Sequence, residues 1–493
     1  VNRPIKKVAI FCFALFAALF LEGNWIQVVK ASSYSAHADN YRNTIYNYQV
    51  QRGNIIVGST NVATSKATTS TTLKYQRVYS SGAEYAPVTG YFSSNYGTSN
   101  LEQFENTLLN GKDTRLATQN FLRKAEGKNQ AGGSVVTTIN AKAQDAAYQA
   151  LTSELSSVGE GAVAAINPKT GAILALASAP SYDPNQLASA SSKTQNAYAT
   201  QLANNSLQPK LDRALNQTYP PGSTFKIITS AAALTDGLSG QTVTPSTSIS
   251  GAPLTTLTLP QSTSTISNSG GETCNSAVLM DAFAQSCNTV FGYVGMQLGA
   301  SNVQSMAQAF GFNKSGLSVP MSVSTSNFPT TGLSQAQLAQ SSIGQYNVTM
   351  TPLEGAMMAS AVADGGTIES PYLIAKELDT SGNVIASASP TTYSTPISGS
   401  VASELSTMMQ DVVTNGTATS LQNLGVSVAA KTGTAERGTG QNPVAWMVAY
   451  APANNPQVAV AVMVADNNVQ PSDAFGNSLA GPIAAAVIKA VIG

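Results

Sequence analysis

One segment decides where this chain can fold: an apolar run from Val8 to Leu21, preceded by Arg3, Lys6 and Lys7. No polar face interrupts the run, which argues against a helix packed in a soluble core. The pattern continues less purely through Trp25, Ile26, Val28 and Val29, bringing the stretch to the roughly 20 residues needed to cross a bilayer, with Trp25 where an aromatic belt residue belongs. The positive flank puts the N-terminus in the cytosol and the body outside. A cleaved signal peptide is the competing reading. Ala36-His37-Ala38 has the small-x-small form of a cleavage site, but it lies about 15 residues past the run, farther than such sites usually stand. The expectation is therefore a short cytosolic stub and an uncleaved signal anchor over residues 1–32. The protein would be a single-pass protein of the cell membrane with its body on the extracytoplasmic side.

The remaining length is too great for one ordinary core, so at least two domains are expected. Charged residues are only 10% of the chain, against about 25% in typical globular proteins, so Ser, Thr, Asn and Gln must supply the polar surface. Lys plus Arg equals Asp plus Glu at 25 each, and no run of like charge stands out. A nucleic-acid partner would need a basic face, so none is expected. The one histidine, His37, lies just past the apolar run. A histidine-rich metal site is thereby excluded, and a general base in the body must be Lys, Tyr, Asp or Glu. No metal and no cofactor is expected. Cys12 sits in the apolar run. Cys274 and Cys287 show neither CxxC nor zinc spacing. In an oxidising compartment a disulfide between them would contribute about 3 kcal/mol for a loop of this size. Two separate buried thiols fit the spacing equally well.

Residues 33–134 read as a small extracytoplasmic domain rich in Tyr, Ser, Thr and Asn, with short apolar alternations such as Asn54-Ile55-Ile56-Val57-Gly58 and a helical stretch over 100–124. Gly127, Gly132 and Gly133 among polar neighbours mark the boundary. Beyond it, Val135–Ile139 predicts a strand and Ala143–Leu155 a helix. Ala162–Ile166 and Ala172–Ala177 predict a hairpin closed by Asn167-Pro168-Lys169-Thr170-Gly171. Val426–Ala430, Val444–Tyr450 and Val458–Val464 read as strands, the last two antiparallel, and Leu479–Ile492 as a closing helix. The expected class for residues 135–493 is α/β (α+β), a central antiparallel sheet with helical layers.

Within that body, Ser223-Thr224-Phe225-Lys226 follows the break Tyr219-Pro220-Pro221-Gly222, at the start of an apolar helical segment. Positions i and i+3 share a helix face, so the Lys226 amine can lie against the Ser223 oxygen. A serine hydroxyl needs such a base to become a nucleophile, and burial can keep a lysine neutral. Backbone N–H groups at the helix start suit a developing oxyanion. No other lysine in the chain has a serine three positions before it, yet a lone Ser-x-x-Lys is also what a helix cap with an exposed lysine looks like. Lys431-Thr432-Gly433-Thr434 follows the strand Val426–Ala430, where an amine and hydroxyls could hold a carboxylate. Lys169-Thr170-Gly171 repeats three of those letters, but there the glycine is explained by the hairpin turn. Ser286-Cys287-Asn288 follows a helical stretch over Ser276–Gln285 and could relay protons. Taken alone it is a weak pattern, matched by Ser93-Ser94-Asn95.

In their order, Ser223-x-x-Lys226, Ser286-x-Asn288 and Lys431-Thr432-Gly433 resemble the motifs of penicillin-binding proteins and serine β-lactamases. The surrounding Gly161–Gly171, Pro180–Asn185, Tyr219–Lys226, Gly344-Gln345 with Thr351-Pro352-Leu353, and Lys431–Glu436 are similar to the transpeptidase domain of class B penicillin-binding proteins. Arg52-Gly53 with Ile55-Ile56 resembles the start of the class B N-terminal pedestal, or dimerisation-like, module. The short form of that module resembles the actinobacterial type A. The resemblance implies a peptidoglycan D,D-transpeptidase that is acylated by β-lactams. Ser223 would attack the D-Ala–D-Ala bond of a stem peptide, Lys226 would be the base, and Ser286 and Asn288 would support proton transfer and placement. Lys431, Thr432, Gly433 and Thr434 would form the carboxylate site, and the N–H groups of Ser223 and Thr434 the oxyanion hole. The class also implies a polytopic glycan polymerase as partner. Cys287 departs from the pattern; a side chain turned away from the site would leave it free to pair with Cys274. The alternatives are a D,D-carboxypeptidase, a β-lactamase, which would need a means of activating a deacylating water, and a non-catalytic β-lactam sensor, which would be expected to carry a larger cytosolic part.

Overall fold

The computed structural model describes residues 3–30, 48–70, 73–437, 441–469 and 474–493. His37 and the Ala36–Ala38 cleavage motif lie outside the described residues. The apolar N-terminal run is a helix, Arg3–Asn24, continued by a wider turn over Trp25–Val29. Phe13, Phe16 and Phe20 are 71–75% exposed, so no described part of the protein covers them. Together the 27 residues are long and apolar enough to cross a bilayer.

The next segment forms two hairpins, Ile55–Val57 with Thr60–Ala67 and Thr60–Ala67 with Tyr75–Tyr79. Ile55–Val57 also runs parallel to Ser134–Thr137, which pairs antiparallel with Ile374–Leu378, and that strand pairs with Val384–Ser387. A single six-stranded sheet thus spans the position near 134 where the sequence changes texture. The predicted helix over 100–124 is instead four short pieces: Asn100–Phe104, Asn106–Leu109, a 3-10 turn at Thr114–Leu116, and Ala117–Ala125. The break falls where Gly111 takes φ 75° and Asp113 caps the next turn through the Arg115 N–H. Beneath them Glu102, fully buried, accepts from Arg52 Nε at 2.5 Å, Arg77 Nε at 2.6 Å and the Tyr79 hydroxyl at 3.1 Å.

A second sheet carries the site. Its order is Ala429–Ala435, Val444–Ala451, Val458–Ala465, Glu160–Ile166, Ile173–Ala179, antiparallel throughout. The strands Val444–Ala451 and Val458–Ala465 are buried at every position, because both faces are covered. A β-carbon on Gly355, in the helix Pro352–Ala363, would touch Ala461 and Val448. One on Gly481, at the start of Gly481–Ile492, would touch Met447. Met447 and Val448 point to opposite faces, so these helices sandwich the sheet. The helix Ala141–Glu154 lies beside Gly481–Ile492. The hairpin and the antiparallel pair stand as the sequence predicts.

Candidate active site

The chain enters the site through a tight 3-10 turn, Gly222–Phe225, and the α-helix begins only at Lys226. Ser223 is therefore one turn earlier and more tightly wound than a first α-helical turn. Gly222 has φ 52°, and a β-carbon there would lie 2.5 Å from the Thr434 carbonyl oxygen. Only glycine lets the turn approach the strand so closely. Phe225 anchors the turn from below, 5.5 Å from the rings of both Phe312 and Phe328.

Ser286 and Asn288 arrive on a helix end. The helix is Leu279–Ala284, shorter than the predicted Ser276–Gln285. The Ser286 N–H donates to Phe283 O and the Cys287 N–H to Ala282 O, closing a Schellman motif in which Ser286, at φ 62°, holds the place usually taken by glycine. That conformation costs a non-glycine residue on the order of 1 kcal/mol. It turns the Ser286 hydroxyl and carbonyl toward the lysines while Cys287 turns away. Cys287 is bonded to Cys274, with Cα atoms 6.1 Å apart, so of the two sequence readings the structure has the disulfide.

Lys431-Thr432-Gly433-Thr434 lies inside the edge strand Ala429–Ala435, not after its end as predicted. Pairing with Val444–Ala451 holds the strand through Ala435, so a Lys-Thr-Gly sequence that reads as a strand end is extended backbone. Gly433 is squeezed: a β-carbon would come within 2.8 Å of Pro221 O and of the Thr224 methyl. The Thr434 carbonyl faces Gly222, and in an extended strand a residue's N–H points to the same side as its C=O. The Thr434 N–H thus faces the Ser223 turn.

These three segments meet. Lys226 Nζ donates to Ser286 O at 2.6 Å, Asn288 Oδ1 at 2.8 Å and Ser286 Oγ at 3.3 Å. Lys431 Nζ donates to the same Ser286 Oγ at 2.8 Å and to Thr432 O at 3.1 Å. The expected Lys226–Ser223 hydrogen bond is not formed; the amine instead has these closer acceptors. Both lysines are wholly buried, with the rings of Phe291 and Phe283 each 5.5 Å from one amine and no carboxylate in an ion pair with either among the described residues. Burial, and then the neighbouring Lys431 charge, hold the Lys226 amine well below the usual lysine range. Burial brings Lys431 down to about 7. Two unpaired ammonium groups on one hydroxyl are unfavourable, so the site favours a neutral amine at Lys226.

Ser223, Ser286, Asn288, Thr432 and Thr434 line one cleft of about 820 Å³. Sequence reasoning missed several of its walls. Thr417 shares a hydrogen bond with Thr432, Oγ1 to Oγ1 2.6 Å, and Phe475–Ser478 form part of the rim, as does Gln345 from the Gly344-Gln345 segment noted in the sequence. No spacing signals Thr417; the fold alone brings it there. Ser93–Asn95, another Ser-x-Asn, is bonded instead to Gln195. Among the described residues no cluster of His, Cys, Asp and Glu could hold a metal.

Fold and cleft together are those of an enzyme class that works through an acylated serine with a lysine base. Comparison with known proteins gives the family. Residues 161–489 match the penicillin binding protein transpeptidase domain, and residues 52–135 the penicillin binding protein A dimerisation domain. The chain is 38% identical over its whole length to the peptidoglycan D,D-transpeptidase PbpA of Mycolicibacterium smegmatis, covering 99% of that protein, and 38% identical to PbpA of Mycobacterium tuberculosis. The solved ceftriaxone acyl-enzyme of M. tuberculosis penicillin-binding protein A superposes with a TM-score of 0.85 at 39% identity, over 91% of this chain and 100% of that one. The transpeptidase domain from Eggerthella lenta gives 0.76 at 31% identity, over 90% and 98%. The chain belongs to the penicillin-binding protein transpeptidase family.

Proposed function

We propose that the protein is a peptidoglycan D,D-transpeptidase, acylated at Ser223 by stem peptides and by β-lactams. The observation that carries this is the buried, carboxylate-free Lys226 amine, three residues after Ser223 in the chain and held by Ser286 and Asn288. Neutral Lys226 takes the Ser223 proton as Oγ attacks the carbonyl of the penultimate D-Ala. The Ser223 and Thr434 N–H groups receive the oxyanion. Lys431, with Thr432 and Thr434, holds the terminal carboxylate, whose arrival favours the charged form of Lys431. Ser286 Oγ, bonded to both amines, carries the proton toward the departing D-Ala nitrogen. The acyl group then passes to an amine of a second stem peptide, which regenerates Ser223.

In this reading residues 1–32 anchor the protein, residues 33–134 are a pedestal, and residues 135–493 are the transpeptidase domain on the extracytoplasmic side. A polytopic glycan polymerase supplying nascent strands is the natural partner for such a pedestal. The test is labelling with a fluorescent penicillin. Wild type is expected to hold the label for hours and Ser223→Ala to take none. Equal labelling of both proteins would refute the nucleophile, and loss of the wild-type adduct within seconds would instead favour a β-lactamase.

A further inference from the structure

The helix Ala117–Ala125 is folded inside out. A surface helix normally turns its apolar stripe to the core and its polar face to water. Here Gln119, Asn120 and Arg123, which share one face, are the half-buried positions, while Ala117, Phe121, Leu122 and Ala125 are exposed. The polar face is the bonded one. Gln119 Nε2 donates to Asp379 Oδ2 at 2.5 Å, and Gln119 Oε1 accepts from the Thr380 hydroxyl at 3.0 Å. Asn120 Nδ2 donates to Gly111 O at 3.1 Å and Ala131 O at 3.2 Å, and Asn120 Oδ1 accepts from the Ala131 N–H at 3.1 Å. Arg123 Nε donates to Asn129 O at 3.2 Å. These bonds fix the rotation of the helix and hold its apolar face outward. Phe121 is 71% and Leu122 55% exposed, and no described residue covers them.

Charge, position and reach point to the same occupant for this face. Arg123, Lys124 and Lys128 stand against one carboxylate, Glu126, in a chain whose charges otherwise balance. A helix dipole accounts for cations in a last turn, but not for two large apolar side chains turned outward beside them. The chain enters the module at Gln51, which pairs with Ala131, the residue bonded to Asn120. The helix thus flanks the point where the connection from the apolar N-terminal helix arrives. That connection, residues 31–47, reaches at most about 60 Å even when fully extended, so the module stays near the bilayer. The connection itself is a poor cover: its charges are one Asp39 and one Arg42, and Ile45 is its one large aliphatic side chain.

From this geometry we infer that Ala117–Ala125 rests on the outer surface of the bilayer that Arg3–Val29 crosses. Phe121 and Leu122 enter the boundary between headgroups and acyl chains, and Lys124 and Lys128 meet anionic lipid phosphates. The inference rests on the reading of Arg3–Val29 as a membrane anchor. A nine-residue helix has too little apolar surface to bind strongly alone; the anchor supplies the high local concentration that makes a weak contact persist. Gln119 also ties the helix to the turn between the strands Ile374–Leu378 and Val384–Ser387. The contact therefore holds the transpeptidase domain, and not the pedestal alone, at a fixed attitude to the membrane.

The test uses the full chain with Cys12→Ala, reconstituted in vesicles of phosphatidylcholine and phosphatidylglycerol. A nitroxide is placed on Thr118→Cys, an exposed position that shares the outward face with Phe121 and Leu122, and on the exposed Lys210→Cys as a control. The label at 118 is expected to be shielded from a water-soluble relaxant and the label at 210 to be open to it. The ratio of shielded to open label at 118 should fall about tenfold in Phe121→Ser and about fivefold in Lys124→Gln. In phosphatidylcholine alone, or in about 1 M salt, it should fall by about fivefold or more without any further substitution. Fluorescent-penicillin labelling equal to wild type shows that each variant is folded. A label at 118 as open as that at 210 overturns the inference and leaves the face to a protein partner. Shielding that ignores lipid charge, salt and Phe121→Ser also overturns it, because residues 31–47 or a second copy of the chain would then be the cover. If alkaline washing strips the chain from the vesicles, the anchor reading itself falls; an anchored chain with an open label at 118 defeats only the surface contact.

Discussion

The N-terminal module and the cleft each bury charged groups, and they do so in opposite ways. Under the N-terminal module, Glu102 is enclosed by Arg52, Arg77 and Tyr79. Burial alone would raise its carboxyl, but Arg77 and Arg52 outweigh that and hold it below the usual range. In the cleft, Lys226 and Lys431 are buried as completely, yet among the described residues no carboxylate pairs with them, and both amines are depressed. A buried charge with its counter-charge is a device for holding structure. A buried amine without one is destabilised in its charged form, and that is what a base requires. The contrast can be broken by removing one group from each place. Lys226→Met should reduce the penicillin acylation rate by about 10³–10⁴-fold while leaving the thermal midpoint unchanged or higher. Glu102→Ala should lower unfolding stability by about 3–5 kcal/mol, because it strands two buried guanidinium groups, and the molecules that remain folded should still acylate. Stopped-flow acylation together with urea unfolding separates the outcomes; a reversal of the two effects would defeat the distinction.

Ser286 sharpens the same comparison at the level of the backbone. It holds a left-handed cap position that glycine would occupy without strain. Ser286→Gly should therefore stabilise the protein by about 1 kcal/mol. It should also slow acylation on the order of 10²-fold, since the hydroxyl that joins the two amines is gone. A variant both less stable and fully active would show that the strain serves something else.

A smaller effect tests how the two amines divide their work. Lys226 must be neutral to act as a base, so acylation should fall as pH drops through its depressed pKa. Lys431 must be charged to hold a carboxylate, so kcat/KM should also fall as pH rises through about 7 in the free enzyme. Because the Lys431 charge helps to hold Lys226 down, Lys431→Met should move the acid limb to higher pH and remove the alkaline limb. An acid limb that stays in place in Lys431→Met would mean the amines do not interact.

Much of this site was legible in the sequence, and the two Lys-Thr-Gly copies show why. Lys169-Thr170-Gly171 is a turn, with Gly171 at φ 77° and the Lys169 amine bonded to Asn455 at the surface. Lys431-Thr432-Gly433 is a buried edge strand. Hairpin chemistry around the first and apolar strands around the second already separated them. The order of three short motifs likewise located Ser223, Lys226, Ser286 and Asn288. What could not be read was whatever depends on close approach. The strand runs through Thr434 because its neighbour pairs with it that far, and the 3-10 turn at Ser223 exists because Gly222 must pass the Thr434 carbonyl. The sharing of Ser286 Oγ by two amines, and the sheet that runs on across residue 134, belong to tertiary packing and have no local signal.

Thr417 is the residue that only the fold discloses, and it gives the smallest and most specific test. Its hydroxyl meets that of Thr432 at 2.6 Å, and Thr432 lies beside the amine that would bind the substrate carboxylate. If Thr417 serves to orient that hydroxyl, replacing it with valine removes one hydrogen bond while keeping the shape. The expected cost is about 1 kcal/mol, or roughly fivefold in the concentration of penicillin needed for half-maximal acylation, with the limiting rate nearly unchanged. The pattern follows from position: Thr417 acts through a group that holds the ground-state carboxylate, not through one that moves the proton. A loss confined to the limiting rate would instead place the Thr417–Thr432 pair on the proton path, and the separation between a carboxylate-holding strand and a proton-moving Lys226–Ser286 pair would have to be redrawn.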